Sequence, residues 1–356
     1  MSIHISQSIS GSGPAEPQLT PNAVTVLEAR YLARDDTGKV NETPSELFRR
    51  VAQAVAEAER VWDASDSQCR QVADDFYGLM VSGSFLPNSP TLMNAGRRLG
   101  MLSACFVLPL EDSIEEIMET ARQIALVQRA GGGTGIDLSS LRPNGSIVRS
   151  SGGTTDGPLA FLKMLSSVTD AIQQGAYRRG ANLGVMPIDH PDLLAFIDVK
   201  TDPTQLANYN LSVAMTNEFM DSLKTKPTKP HVVINPHTGQ KGLLSKATGT
   251  AEYSQPAEST DGNYYTVREV WERIVRQAWQ SGDPGLFFID EVNFHNQTPH
   301  LGRIHIVNPC GEQPLNAYEA CCLGSVNLVA FYINNSDSSA VERIDWQRLK
   351  RTVELA

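Results

Sequence analysis

The sequence predicts an α/β protein with a small helical region at its start, and three observations carry that prediction. From Pro44 to about Gly83 apolar side chains recur at helical spacing. Beyond Phe85 the texture changes to short apolar runs bounded by glycine and proline, such as CFVLPL at 105–110, LFFI at 286–289 and IHIV at 304–307. Longer stretches of helical period separate those runs, and strands alternating with helices favour a largely parallel sheet.

Taken in order, residues 1–20 are rich in Ser, Gly and Pro and are expected to form a loose arm. Thr43 caps a predicted helix whose first position is Pro44 and whose apolar stripe is Leu47, Val51, Ala54, Val55 and Ala58. A second helix is predicted at 67–81, with Val72, Phe76, Leu79 and Met80 on its apolar side. The expected organisation is thus an arm at 1–20, a helical domain at 21–84 and an α/β part at 85–356. In that part the buried strand at 105–110 precedes a helix at 113–129 capped by Asp112, and another helix is predicted at 159–174. The runs at 286–289 and 304–307 read as buried strands, whereas 239–263, rich in Ser, Thr, Gly and Ala, reads as a surface insertion or mobile loop. At the end Asp345 caps a helix starting at Trp346 that keeps its period up to Ala356, so the chain is expected to stop inside an element, as a fragment or split protein would.

Composition narrows the function. A chain of 356 residues, 41% of them hydrophobic, is long enough for one large core or two moderate ones. The net charge of -10 argues against wrapping a nucleic-acid polymer, but single nucleotides need only a helix N-terminus or glycine nest and one or two arginines. No apolar run reaches the roughly 18 residues of a membrane helix, and the expected address is cytoplasmic. Five scattered cysteines, Cys69, Cys105, Cys310, Cys321 and Cys322, read as thiols and not as a disulfide framework.

The sharpest chemistry lies at Asn308-Pro309-Cys310-Gly311-Glu312, followed by Cys321 and Cys322. Asn-Pro and Cys-Gly favour turns, so a thiol stands on a tight loop with a carboxylate two residues on and an amide two residues before. These residues fit a structural cysteine beside a loop glutamate as well as they fit a reactive thiol with its base. A metal site is less favoured, because there is no Cys-x-x-Cys and no paired His at ligand spacing. The glycines at 131–135 lack the Gly-Lys-Ser ending of a Walker loop and are read as allowing close backbone approach to a nucleotide.

The wider pattern resembles the large catalytic chain of ribonucleotide reductases from about Phe85 to Leu328. Its landmarks, in family order, are FLPNSPTLMNAG at 85–96, LSACFVLPLEDSI at 102–114, QRAGGGTGIDLSSLRPNGS at 128–146 and SGGTTDGP at 151–158. RRGANLGVMPIDHPDLLAFI at 178–197, NYNLSVAMT at 208–216, GDPGLFFIDEVN at 282–293 and NPCGEQPL at 308–315 continue it. The resemblance implies the first half of the family's ten-stranded α/β barrel, with Cys310 on a finger loop. It implies that Cys310 is the thiyl-radical residue that takes the ribose 3′-hydrogen, Glu312 the base on the 3′-hydroxyl, and Asn308 a hydrogen-bonding partner of the sugar. Cys105 and Cys321 correspond to the thiol pair that supplies two electrons and closes a disulfide, with Cys322 standing where the family usually has Asn.

Ser89, Thr91, Ala104, Gly132 and Gly133 match positions around the substrate ribose. Asp112, Ser113, Ile114, Arg142 and Arg149 match the allosteric site for ATP or a deoxynucleoside triphosphate, and Arg178 to Asn182 match the loop that relays its signal. The wording of the motifs is closest to the adenosylcobalamin-dependent class, and the sequence has no room for the N-terminal ATP cone of diiron-dependent members. The expected partners are a ribonucleoside di- or triphosphate, a thioredoxin-like or glutaredoxin-like reductant, a second copy of the chain, and a separate polypeptide carrying the second half-barrel. A nucleotide-binding regulatory fragment without catalysis is the alternative, and a glycyl-radical relative a weaker one.

Overall fold

The structure is a computed structural model, and it describes residues 16–173, 180–253, 262–333 and 343–356. Along the chain the elements are α1 (Pro21–Arg30), α2 (Pro44–Ala56), α3 (Asp66–Val81), β1 (Phe85–Pro87), α4 (Ser89–Asn94), β2 (Cys105–Leu108), α5 (Ile114–Arg129) and β3 (Gly133–Asp137). There follow α6 (Pro158–Gln173), β4 (Asn182–Pro187), α7 (Leu193–Asp198), β5 (Tyr209–Met215), α8 (Asn217–Thr225), β6 (Val232–Ile234), β7 (Lys241–Leu244) and β8 (Ala251–Glu252). The last are α9 (Val267–Ser281), β9 (Gly285–Phe288), α10 (Ile289–Phe294), β10 (Ile306–Val307), β11 (Pro314–Leu315), β12 (Ala320–Cys321), β13 (Gly324–Val326) and α11 (Trp346–Leu355). The chain divides into two compact units, Met1–Leu102 with Leu323–Ala356, and Ser103–Cys322.

In the first unit α2 starts where the sequence places it. Thr43 and Glu46 form a reciprocal capping box and Pro44 opens the helix, an arrangement worth about 1 kcal/mol. It buries Leu47, Phe48, Val51 and Ala52, but Ala58 is exposed, because the helix tightens into a 3-10 turn after Ala56. The second helix begins one residue earlier than expected, capped by Ser65, and its buried face is Cys69, Ala73, Tyr77 and Met80. Val72, Phe76 and Leu79 are only half-buried beside it. β1 pairs antiparallel with β13 in the same unit.

The second unit holds a six-stranded sheet in the order β12-β2-β3-β4-β5-β9. β2, β3, β4, β5 and β9 run parallel and β12 adds an antiparallel edge, so the sheet is largely parallel, as the alternation of strands and helices predicts. This is the α/β architecture of a first half-barrel. Residues alternate between its faces. Leu108, Ile136, Leu138, Met186, Leu211 and Val213 pack with Ile117, Ile124, Leu162, Leu165, Val270 and Ile274 of α5, α6 and α9. Leu183, Val185 and Ala214 point the other way and meet Ile304 and Val307.

Several local expectations are corrected. Asp112 does not cap α5: Ser113 adopts the extended cap conformation and its hydroxyl accepts from Glu116 N at 3.2 Å, while the Asp112 carboxylate is drawn to Arg142. The run at 286–289 forms an edge strand with only Phe287 buried, because β9 has a neighbour on one side alone. The run at 304–307 yields just two strand residues, which pair with β11 outside the large sheet. Within 239–263 the described residues are not a loose insertion: β7 and β8 join the preceding β6 in an antiparallel sheet, and Leu244 of β7, like Val233 of β6, joins the main core. The strands at the centre of the large sheet, β3, β4 and β5, lie in segments whose glycines and asparagines hide the apolar alternation.

A buried polar network ties these strands to the helices. Asn182 Oδ1 accepts from Thr134 Oγ1 at 2.7 Å and from Gln128 Nε2 at 2.8 Å, and Asn182 Nδ2 donates to Thr169 Oγ1 at 3.0 Å. Among the described residues no helix is long and apolar enough to cross a membrane.

Candidate active site

The sheet face turned away from α5 and α6 gathers the candidate residues. The two-residue period and the strand register put Cys105, Gly133, Gly135, Leu183 and Asn210 on that face. The segment around β10 crosses it at backbone distance. A Cβ on Gly135 would fall well inside van der Waals contact of the Val307 carbonyl oxygen, and one on Gly133 would lie 2.9 Å from Pro309 Cγ. What these glycines admit in the structure is the chain's own segment around β10, where the sequence reading expected a nucleotide.

Past β10 the chain folds back into β11 through a tight loop. Asn308 N donates to Gln313 O at 3.1 Å, Gln313 N donates to Asn308 Oδ1 at 3.0 Å, and Gly311 N donates to Asn308 O at 2.9 Å. Gly311 takes φ 83, a left-handed conformation that glycine adopts without strain. Cys310 stands exposed at the tip of this loop. Asn210 Nδ2 reaches from β5 to the Pro309 carbonyl at 2.8 Å and fixes the peptide just before it.

Asn308 is fully buried and donates to Glu312 Oε1 at 2.6 Å, so an exposed glutamate is held by a rigid amide. Asn308 Nδ2 also lies 3.9 Å from Cys321 Sγ. Cys321 on β12 is the register partner of Cys105 on β2, and both thiols are free. The two sulfurs and a Glu312 oxygen all lie within 4.8 Å of one another. Burial pushes the Cys105 thiol up to about 11, and the neighbouring Cys321 sulfur adds to the shift. Burial raises Cys321 as well, with the Glu312 charge acting in the same direction. The cluster is therefore a protonated dithiol beside a carboxylate, with a third thiol on the adjacent loop tip. Cys322 is exposed and lies outside the cluster, which separates the two adjacent cysteines that the sequence alone left ambiguous.

The remaining expected positions fall elsewhere. Ala104 immediately precedes Cys105, and its carbonyl accepts from Gly133 N at 2.9 Å; Gly132 N donates to Val127 O at 3.0 Å at the end of α5. Ser89 and Thr91 belong to the first unit. There Ser89 Oγ hydrogen-bonds with Tyr31 Oη at 3.0 Å, and Thr91 Oγ1 donates to Leu102 O at 2.9 Å. Asp112 and Arg142 are brought together at 2.7 Å beside the capped N-terminus of α5, with Ile114 exposed there. Arg149 is exposed in the turn closed by the Ile147–Thr154 bridge. Arg178 and Arg179 of the expected relay loop lie outside the described residues, and Asn182 is the centre of the buried network.

Two residues escape the sequence reading. Asn210 is one, and its signal is an amide in a strand, where asparagine is depleted. The other is His237, whose Nδ1 comes within 3.7 Å of Asp112 Oδ2 from the turn between β6 and β7; no sequence signal joins residues so far apart.

Comparison with known proteins identifies the family. The family model of the ribonucleotide reductase all-alpha domain matches residues 17–100, and that of the ribonucleotide reductase barrel domain matches residues 103–356. A vitamin B12-dependent ribonucleoside-diphosphate reductase of Mycobacterium tuberculosis is 40% identical over 96% of this chain and 45% of its own length. One of Thermoplasma acidophilum is 37% identical over 94% of the chain and 47% of its own length, and a vitamin B12-dependent ribonucleotide reductase of Streptomyces coelicolor is 26% identical over 94% and 35%. The chain spans about half the length of the first two relatives. On the two family matches, which together take in nearly all of it, the chain belongs to the ribonucleotide reductase large-chain family.

Proposed function

We propose that this chain carries the thiol machinery of an adenosylcobalamin-dependent ribonucleotide reductase and acts together with sequence that supplies the second half-barrel. The observation that carries this reading is the cross-strand pair Cys105 and Cys321 gathered with Glu312 around the buried amide of Asn308. In the reaction Cys310, as a thiyl radical, takes the 3′-hydrogen of the ribose. Glu312 accepts the 3′-hydroxyl proton and later returns it, the 2′-hydroxyl takes one thiol proton and leaves as water, and Cys105 and Cys321, closing a disulfide, deliver two electrons and the other proton to the sugar at the 2′-carbon. Cys310 then returns the hydrogen to the 3′-carbon. Sulfur suits this shuttle because an S–H bond is close in strength to an activated ribose C–H bond.

The position of Cys310 fits a cofactor that generates a radical at a distance from the reducing pair. It is exposed at a loop tip, whereas Cys105 is buried and Cys321 half-buried. Cys310 is the residue of this chain that would face the cofactor; when bound, adenosylcobalamin supplies a carbon-centred radical by homolysis of its cobalt–carbon bond. The names of the relatives, vitamin B12-dependent in each case quoted, support the class.

Within the same reading Ser89, Thr91, Ala104, Gly132 and Gly133 contact the substrate ribose, and Asp112, Ser113, Ile114, Arg142 and Arg149 hold ATP or a deoxynucleoside triphosphate as allosteric effector. A thioredoxin-like or glutaredoxin-like protein reduces the disulfide, and two copies of the chain associate. The test is reduction of ribonucleoside di- and triphosphates with adenosylcobalamin, a dithiol and an effector, using this chain alone and mixed with a polypeptide bearing the second half-barrel. Activity in the mixture that Cys310→Ser abolishes is the expected result. Effector binding with no activity in either sample would favour the regulatory-fragment reading.

A further inference from the structure

We propose that the reduced dithiol is also a binding site for one soft divalent cation of the zinc type, held by Cys105 Sγ, Cys321 Sγ and a Glu312 carboxylate oxygen. The site is thereby gated by redox state: the dithiol takes the ion and the disulfide does not.

Three observations carry this. First, the donor atoms converge, all within 4.8 Å of one another, and among the described residues no other such group of three closes to that distance. A tetrahedral zinc ion with bonds of about 2.3 Å to sulfur and about 2.0 Å to oxygen spaces its ligands by about 3.5 to 3.8 Å. Closing the shell therefore takes side-chain adjustments of about 1 Å. Second, the donors sit on elements that are already fixed. Cys321 and Cys105 are held opposite each other by strand pairing, and the Glu312 carboxylate is oriented by the Asn308 amide at 2.6 Å. A buried amide bonded to a ligating carboxylate is the kind of outer partner that orients metal ligands. Third, the chemistry of the set suits a borderline-soft ion: two sulfurs and one oxygen, with a fourth position left for water or an added ligand.

Binding is balanced by proton release. Each thiol gives up one proton as its sulfur bonds the ion, so the dication replaces two protons and no electron moves. The bound ion holds both sulfurs as thiolates in its shell and keeps them from closing on each other, so cation binding and disulfide formation exclude one another. Its consequence is inhibition of any reaction that draws electrons from this pair. The assignment needs only the reduced dithiol of the proposed function and none of its ribonucleotide chemistry.

The test uses the full chain, reduced with a phosphine, freed of reductant and titrated anaerobically with Cd²⁺, followed by the thiolate-to-cadmium charge-transfer band, with Zn²⁺ as competitor. One ion per chain is expected, with two protons released. Cys105→Ser and Cys321→Ser should each weaken binding at least about tenfold, and Glu312→Gln should weaken it as well. Cys69→Ser and Cys322→Ser should leave it unchanged, and the oxidised chain should bind none. Should a serine variant fail to fold, mapping iodoacetamide labels on the wild type decides: Zn²⁺ must protect Cys105 and Cys321 and leave Cys69 and Cys322 as they were. A band of equal strength in the oxidised chain or in Cys321→Ser, or none in the reduced chain, overturns the proposal. A chain that forms the Cys105–Cys321 disulfide yet binds no Cd²⁺ refutes the metal site alone.

Discussion

Cys321 faces Cys105 directly across an antiparallel strand pair, so the two thiols are joined by backbone register and not by a flexible loop. Directly opposed strand residues have Cβ atoms about 4.5 to 5.5 Å apart, and small χ1 rotations bring such sulfurs to bonding distance. Mild oxidation of the chain should therefore give one intramolecular disulfide, Cys105–Cys321, by peptide mapping. Cys322→Ser should form it normally; a Cys105–Cys322 bridge in the wild type would contradict the register. With its thiol pushed up to about 11, Cys105 should also react with alkylating agents at a rate that climbs about tenfold per pH unit from neutrality towards that value.

Gly135→Ala should be costly beyond its size. The added methyl meets the Val307 carbonyl oxygen, backbone that cannot rotate away, so either β3 or the segment leading to Cys310 must shift. A loss of about 2 kcal/mol or more in chemical denaturation is expected, with a changed labelling rate at Cys310. Gly78→Ala, in the interior of α3 with open space around it, should instead gain about 0.5 to 1 kcal/mol.

Asn210→Ala should leave the fold in place and loosen the loop tip. It removes one hydrogen bond, to Pro309 O, worth about 1 kcal/mol. The expected signature is altered iodoacetamide kinetics at Cys310 with unchanged kinetics at Cys69. Equal kinetics at Cys310 in both proteins would mean that the loop is held by its own turn alone.

Acid should weaken the second unit through its buried histidines. His231 is completely buried and its Nε2 donates to Ile188 O at 2.7 Å; burial holds it down at about 4. An unfolded histidine titrates near 6.5, so between those values the unfolded chain binds a proton that the folded chain refuses. Stability should be full above about pH 6.5 and fall as pH drops towards 4, by up to about 3 kcal/mol from this residue. His190, depressed by burial and bonded to Leu141 O, acts in the same direction. Denaturant midpoints of wild type and His231→Gln at neutral and acid pH measure the slope, which the variant should flatten.

Asn182→Ala should destabilise more than a single hydrogen bond would. It leaves the buried Thr134 hydroxyl without its acceptor and removes one of the two partners of Gln128 Nε2, which keeps Thr169 Oγ1 at 3.0 Å, at a cost of about 2 kcal/mol. Asn182→Asp keeps the acceptor and should recover part of that loss if the network tolerates the charge.

What the sequence by itself determined is the family and the class of fold. Thr43, Pro44 and Glu46 specify a helix start because capping is local, and the strand at 105–108 shows as a short apolar run because a strand buried on both faces needs no polar alternation. The residues of NPCGE announce a turn bearing a thiol, and the order of motifs points to the family. The tertiary structure decided the rest. β3, β4 and β5 escaped the sequence reading because their glycines and asparagines serve the segment that crosses them and the network behind them, needs that exist only once distant residues meet. Asp112 looked like a cap, and it lost that place to Ser113 because Arg142 claims its carboxylate from thirty positions on. For Cys321 over Cys322 the chain offers only the spacing of the resembling family; adjacent residues on a strand point to opposite sides, and the pairing with β2 puts Cys321 on the side that meets Cys105.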